Sequence, residues 1–249
     1  MGLFIRIIRM LSLLGWTAGM VFLSLPNRLR GWKGIIATSK LVRIWGKGVA
    51  WISGISVKTY GKMPSKISGL VVSNHLGYVD IVVHAAIFPL RFTPSTDVRK
   101  MPIVGTVTAM SNALFVDRTS VTSAKKTARN FIKTMRKGMF LIVYPEATST
   151  DGKRGILPFK STPFDAASEG NMPVIPILTR YKEKPSQPEI PWYGDMTFFP
   201  HFWTLLGSRS IEAEVLFLSP IEPGEKSRKE LAAYTHEVMS KAWEEWNRA

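Results

Sequence analysis

The chain has 249 residues, 45% of them hydrophobic and 20% charged, and no cysteine. That length suits one compact α/β domain with a sizeable core, and the lack of cysteine excludes a disulfide scaffold, thiolate metal sites and a cysteine nucleophile. The formal charge of +15 is uneven: eleven Lys and Arg precede the first acidic residue, Asp80, and the remainder is nearly balanced, which argues against a uniformly basic nucleic-acid binder.

Residues 10–25 form an uncharged, mostly apolar run behind Arg6 and Arg9. The run is shorter than the ~20 residues that span hydrocarbon. No clean small-x-small cleavage pattern follows it. A half-inserted or surface-lying helix is therefore favoured over a tilted span or a signal peptide. Pro26-Asn27 marks a turn, and residues 32–53 read as a second helix. At ~100° per residue, Lys33, Lys40, Arg43 and Lys47 share one arc. Ile35, Leu41, Val42, Trp45, Val49 and Ile52 gather opposite, while Ile36, Ile44 and Trp51 break the pattern. Trp16, Trp32, Trp45 and Trp51 also lie in this extension, and Trp prefers the head-group zone. The pair is read as interfacial, drawn by anionic head groups and held by apolar insertion. The alternative is an amphipathic helix packed on the body with solvated lysines. Residues 1–58 are thus expected to form a membrane-docking helical segment, and residues 59–249 an α/β domain.

In the body, short apolar runs alternate with helical stretches. Residues 70–72, 113–116, 140–144, 174–178 and 214–218 are strand candidates. Residues 121–137 place Val121, Ala124, Ala128, Phe131, Ile132 and Met135 on one helical face, with Thr119 or Ser120 to cap the start and Gly138 the end. Ser227 and Glu230 have capping-box spacing ahead of a C-terminal helix. Its expected stripe is Leu231, Tyr234, Val238, Ala242 and Trp246. Residues 183–200, rich in Pro, read as a surface loop. The alternation predicts a mixed, largely parallel central sheet flanked by helices.

Three strand candidates end in polar residues, at the edge where open α/β sheets bind ligands. The first ends in Ser73-Asn74-His75, with Asp80 five residues on. The second ends in Asp117-Arg118, and the third in Pro145-Glu146-Ala147-Thr148. His75 can act as a general base and Asp80 can orient it; Gly77 permits the turn that this spacing needs. Asp80 could instead cap the apolar helix at residues 81–88, and His75 could be a satisfied core histidine. Arg118 offers a donor fork for phosphate or carboxylate, or an ion pair with Asp117 or Glu146. Glu146 could bond a substrate hydroxyl or buttress Arg118. Lys153, Arg154 and Lys160 add positive charge. No Gly-x-Ser-x-Gly elbow, P-loop or dinucleotide fingerprint occurs. The histidines show no metal-ligand spacing, and no metal or cofactor is expected. His84, His201 and His236 are read as structural or surface residues.

Together these pieces resemble the glycerolipid acyltransferase family, in particular the 1-acyl-sn-glycerol-3-phosphate acyltransferases. N-H-x4-D is Asn74-His75 through Asp80, and F-[IV]-D-R is Phe115-Val116-Asp117-Arg118. F-P-E-G-T-R corresponds to Tyr144-Pro145-Glu146-Ala147-Thr148-Ser149. V-P-[IV]-[IV]-P-[IV] corresponds to Met172 through Ile177, and P-F-K to Pro158-Phe159-Lys160. Ala147 replaces the usual Gly, and Ser149 the usual Arg. The resemblance implies transfer of an acyl group from an acyl carrier protein or coenzyme A thioester to the sn-2 hydroxyl of 1-acyl-glycerol 3-phosphate (lysophosphatidic acid), giving phosphatidic acid. It implies His75 and Asp80 as catalytic residues, and Asn74, Arg118, Glu146, Thr148, Arg154 and Lys160 as substrate contacts. It further implies a place on the cytoplasmic face of the membrane. The rivals are a sibling acyltransferase with another glycerol-phosphate, lysophospholipid or ornithine-type acceptor, and a non-catalytic protein that binds lipid at the membrane surface. A nucleic-acid partner is not expected.

Overall fold

The computed structural model describes residues 2–64, 68–99, 104–116, 121–185 and 187–248. Among these, six strands form one sheet in the order β1-β6-β5-β2-β4-β3. They are β1 (Ile55–Tyr60), β2 (Leu70–Ser73), β3 (Leu90–Phe92), β4 (Phe140–Val143), β5 (Val174–Tyr181) and β6 (Ile211–Phe217). Only β5 and β6 pair antiparallel; every other neighbouring pair is parallel. The helices are α1 (Leu3–Ser24), α2 (Gly31–Ser53), α3 (Val79–Ile87), α4 (Thr96–Arg99), α5 (Val104–Met110), α6 (Val121–Arg136), α7 (Asp165–Gly170), α8 (Phe198–Leu206) and α9 (Arg228–Arg248). The architecture is the expected mixed, mostly parallel sheet between helical layers.

Side chains alternate across the pleat and so build two cores. Leu70, Val72, Leu141, Val143, Val174 and Leu178 face the layer of α6, α7 and α9. Val71, Ile142, Ile175, Ile177, Ala213 and Val215 face the opposite layer, with Val79 and Val83 of α3 and Leu205 of α8. Of the strands with the clearest apolar runs, β2 is buried throughout and β4 is buried after the partly exposed Phe140.

Several sequence expectations change. Residues 113–116 do not form a strand of the sheet; Val116 makes an isolated parallel bridge to Ser95. β1 and β3 were not anticipated. β1 alternates weakly because it is an edge strand with mostly exposed side chains, and β3 is only three residues long. β1 also crosses residue 58, so the expected N-terminal segment supplies part of the sheet. The stripe of α9 is broader than expected: Leu231 is buried and Val238, Ala242 and Trp246 pack on the core, Ala232, Thr235, Met239 and Trp243 are also buried, and Tyr234 is exposed. The capping box is present, with Ser227 N–H donating to Glu230 (2.8 Å) and Glu230 N–H to the Ser227 hydroxyl (3.4 Å). Gly138 ends α6 at φ 79°, where glycine carries no steric penalty. The expected caps Thr119 and Ser120 lie outside the described residues.

The N-terminal helices form a third layer. α2 packs on α3, and its buried residues include Gly34, Thr38, Val42, Gly46 and Ala50, spaced four apart on one face, with Gly34 closing on Asn27 and Gly46 on α3. A Cβ at Gly46 would lie 2.6 Å from Ala85, so only glycine admits this approach. α1 locks onto α2 by paired indole bonds: Trp16 donates to the Trp45 carbonyl and Trp45 to the Thr17 hydroxyl, both at 3.1 Å. These two tryptophans therefore serve helix packing rather than the head-group zone. Trp51 does face outward, 84% exposed. Arg9 is also internal, donating to the carbonyls of Leu206 (3.0 Å) and Ser208 (2.6 Å) at the end of α8. There its charge complements the negative end of the helix.

With the arginines so engaged, α1 begins earlier than residue 10. The continuous helical stretch Leu3–Leu29 is long and apolar enough to cross a membrane, with mean hydropathy 1.6 over its best window and little of that window buried. Its outer face carries exposed Leu3, Phe4, Ile7, Leu11, Leu14 and Phe22. An uncovered apolar stripe of this length marks membrane association.

Candidate active site

The parallel strands β2, β4 and β5 end on the same edge, and their ends deliver the site. β2 stops at Ser73 because Asn74 turns its amide into the backbone of β5. Asn74 Nδ2 donates to the Thr179 carbonyl (2.9 Å) and the Thr179 N–H donates to Asn74 Oδ1 (2.8 Å). Asn74 is buried with both amide atoms engaged, so it anchors the loop that follows.

That loop places the His75 ring over the start of α3. His75 Nδ1 lies 2.8 Å from Asp80 Oδ2. The same oxygen accepts the N–H groups of Leu76 (2.7 Å) and Gly77 (3.1 Å). Asp80 Oδ1 accepts the Tyr181 hydroxyl at 2.5 Å. Asp80 therefore does not cap α3. It lies within the helix's first turn and reaches back to the preceding loop. Gly77 adopts φ 144°, and a Cβ there would meet Trp192 N at 2.8 Å, which explains a glycine between His and Asp. Burial alone would raise the Asp80 pKa. The His75 hydrogen bond, the fields of His75 and His84, and the Tyr181 hydroxyl outweigh it, and the carboxyl is held below its ordinary value. An ionised Asp80 accepts only, so His75 carries its proton on Nδ1. Nε2 then presents a lone pair, and the side chain is 23% exposed. Such a nitrogen can take a proton from a hydroxyl.

Glu146, after β4, has both carboxylate oxygens committed. Oε1 accepts the His75 N–H (2.8 Å) and Oε2 the Leu157 N–H (2.9 Å). It is nearly inaccessible, and burial pushes its pKa up against these two bonds. Ala147 follows at φ 62°, a left-handed conformation that glycine adopts freely.

The structure thus brings His75, Asp80, Asn74 and Glu146 together. Thr148, Arg154 and Lys160 are exposed on the flanking loops, and their side chains make no hydrogen bond or ion pair with the described residues. Lys153 faces Glu189 (3.4 Å) and Glu183 (3.7 Å). Asp117 and Arg118 lie outside the described residues.

Sequence reading missed four members of the site. Tyr144 stacks on the His75 ring at 4.2 Å, and its hydroxyl lies 2.9 Å from His84 Nδ1. His84 Nε2 lies 2.8 Å from the Thr179 hydroxyl. His84 is fully buried, and desolvation pushes its pKa down to about 4, so it is neutral. Tyr181 and Thr179 come from β5. Their separation from Asp80 and His84 in sequence is so large that no spacing signal exists. Residues 183–200 are more than a surface loop: the Trp192 N–H donates to the Leu76 carbonyl (2.7 Å), Ser149 donates to the Trp192 carbonyl (2.6 Å), and Ile190 is buried in the core. Tyr78 links this strap to α8, bonding His201 (2.9 Å) within an aromatic cluster that includes Trp192, Phe198 and Phe202. α8 in turn packs on α1. A chain of contacts therefore runs from the loop of the His–Asp pair through Tyr78 and α8 to α1, whose outer face is uncovered.

Comparison with known proteins agrees with this geometry. The acyltransferase family matches residues 54–180, a segment that runs from the start of β1 through most of β5. The chain is 29% identical over 227 residues to the lyso-ornithine lipid O-acyltransferase of Brucella abortus, covering 85% of this chain and 82% of that one. It is 24% identical over 182 residues to the 1-acyl-sn-glycerol-3-phosphate acyltransferase of Neisseria gonorrhoeae, covering 72% and 71%. Its fold is similar to the crystal structure of the 1-acyl-sn-glycerophosphate (LPA) acyltransferase, PlsC, from Thermotoga maritima, with TM-score 0.64 and 21% identity over 98% of both chains. With the matched segment spanning half of its length, the chain belongs to the acyltransferase family, within the PlsC-type glycerolipid acyltransferase superfamily.

Proposed function

We propose that this protein transfers an acyl chain from a thioester to the free hydroxyl of a single-chain membrane lipid. His75 is the general base and Asp80 orients it. The observation that carries the reading is the His75–Asp80 pair, with Nε2 free, linked through Tyr78 and α8 to the apolar helix α1. His75 Nε2 takes the hydroxyl proton as the oxygen attacks the thioester carbonyl carbon. Collapse of the tetrahedral intermediate forms the ester, breaks the C–S bond and returns the proton to the departing thiolate. Asp80 stabilises the imidazolium in between. Glu146 and Asn74 hold the loop, because their polar atoms are already used. The exposed lysines of α2 (Lys33, Lys40 and Lys47) and the apolar stripe of α1 seat the site on an anionic cytoplasmic leaflet, so the lipid acceptor never crosses bulk water.

Two acceptors fit this chemistry. Arg118, in the F-[IV]-D-R block, supports 1-acyl-glycerol 3-phosphate as a phosphate fork, with phosphatidic acid as product. Block three favours the second, an acceptor of the lyso-ornithine type. Ser149 stands in place of the family's Arg and gives its hydroxyl to Trp192. Lys153, a nearby alternative, faces Glu183 and Glu189. Local charge is therefore less suited to a phosphate dianion, and the Brucella relative carries the matching name.

The test is purified protein in mixed micelles with a hexadecanoyl thioester and both acceptors. His75→Ala should lower kcat by about 10² to 10⁴, the range for a lost general base, with an unchanged melting curve. Near-wild-type transfer by that variant refutes the scheme. A higher kcat/KM for lysophosphatidic acid than for the lyso-ornithine lipid refutes the preferred acceptor.

A further inference from the structure

We propose that the exposed face of α6 is the docking surface for the acyl donor, and that the donor is an acidic acyl carrier protein. The inference rests on the acyl-transfer reading above and assigns the donor to a surface.

α6 and the residue after it expose Lys125, Lys126, Arg129, Lys133, Arg136 and Lys137. No acid occurs between residues 121 and 139. Among the described residues none of the six pairs with a carboxylate; Lys133 instead lies 5.5 Å from the Trp32 ring centre. The helix's other face, with Ala128, Phe131 and Met135, is buried against the sheet. Lys125, Arg129, Lys133 and Lys137 stand four residues apart, so each consecutive pair repels and weakens the helix. Folding alone does not call for such a face. A partner of opposite charge does.

Three features select the partner. First, α6 packs on the sheet face opposite to α3 and α8; its Lys133 turn lies beside Trp32 of α2, and its Lys125 end is about 12 Å further along the helix. Among the described side chains of α6 none is an exposed large apolar one, whereas binding at a bilayer surface needs apolar insertion as well as charge. Second, the charges extend over about 18 Å at 1.5 Å per residue. That is the footprint of an acidic helix rather than of the compact phosphates of a nucleotide. Third, α6 returns to β4 within a few residues, so the helix runs opposite to the strand. Its Lys125 end therefore lies toward the strand edge that bears His75 and Glu146. A carrier seated there needs only a flexible thioester arm to reach the site.

The experiment uses the full chain in nanodiscs, with hexadecanoyl-acyl carrier protein as the probe. The variant is K125E/K126E/R129E, which touches none of the residues assigned to the site. Binding of the carrier to the wild type should weaken with salt and fall about tenfold or more in the variant, as expected when docking charges are reversed. KM for the carrier thioester should rise by a similar factor, while KM for hexadecanoyl-coenzyme A and binding to anionic phospholipid vesicles stay unchanged. Carrier binding that is absent in the wild type, or equal in both proteins, overturns the proposal. So does an equal loss of vesicle binding, which would assign the face to the membrane. Because carrier binding is measured without turnover, failure of the acyl-transfer reading, seen as no product with any acceptor, is told apart from failure of the docking surface.

Discussion

His84 makes the stability of this fold dependent on pH. It is buried and neutral, between the Tyr144 hydroxyl and the Thr179 hydroxyl, with a pKa near 4 against 6.5 for a free imidazole. As pH falls below 6.5 the unfolded chain gains a proton that the folded chain refuses, so the unfolded state gains stability. With these two values the loss is about 2 kcal/mol by pH 5 and about 3 kcal/mol by pH 4, at 1.36 kcal/mol per unit. Two other buried groups must be signed. Glu146 has a raised pKa, so the folded state takes up its proton first and offsets part of the loss. Asp80 has a lowered pKa, so its contribution is lost only below its ordinary 3.8, outside this window. The assay is urea unfolding in detergent, followed by tryptophan fluorescence at pH 7.5 and 5.0. Wild type should lose up to about 2 kcal/mol between them, less the part that Glu146 offsets. His84→Gln should start lower, because a rearranged amide partners Tyr144 and Thr179 less well, but its stability should be nearly flat. A flat wild type, or the wild-type loss in His84→Gln, refutes the reasoning.

Other perturbations probe the loops around the site. Glu146→Gln replaces one acceptor oxygen with an NH2 that faces a backbone N–H, at either His75 or Leu157. Stability should fall by about 1–3 kcal/mol, the cost of an unsatisfied buried donor, and kcat should fall with acceptor KM little changed. Unchanged stability with a raised acceptor KM would instead make Glu146 a substrate contact. Ala147→Gly removes a left-handed penalty of about 1–2 kcal/mol and returns about 0.4–1 kcal/mol through greater freedom of the unfolded chain. The net is a stabilisation of about 0.5–1 kcal/mol from these terms, visible as a raised Tm; a lowered Tm contradicts it.

Much of the site was legible because its chemistry is local in sequence. His75, Gly77 and Asp80 sit in one turn, and a six-residue stretch is enough to show a base, a bend and a carboxylate. The strand that delivers them is equally plain, since β2 is buried on both faces and reads as a continuous apolar run. The edge strands were not legible for the opposite reason: β1 is mostly exposed and has no burial pattern to imprint. The α9 stripe was legible at Leu231, Val238, Ala242 and Trp246, which pack on the core, but not at its second row, where small Ala232 and polar Thr235 are buried too.

The sequence by itself determined the fold class, the basic and apolar character of the first two helices, and the His–Asp pair with its family. These are written in periodicity, composition and short spacings. Only the tertiary structure decided what those residues touch. It turned Arg9, Trp16 and Trp45 inward to lock α1 in place. It engaged the polar atoms of Asn74 and Glu146, expected as substrate contacts, in holding the loop of His75. It brought Tyr181 to Asp80 and, through Tyr144, His84 to the face of His75. The physical reason is that parallel strands distant in sequence end on one edge. Their side chains meet there at hydrogen-bond distance without leaving any pattern along the chain.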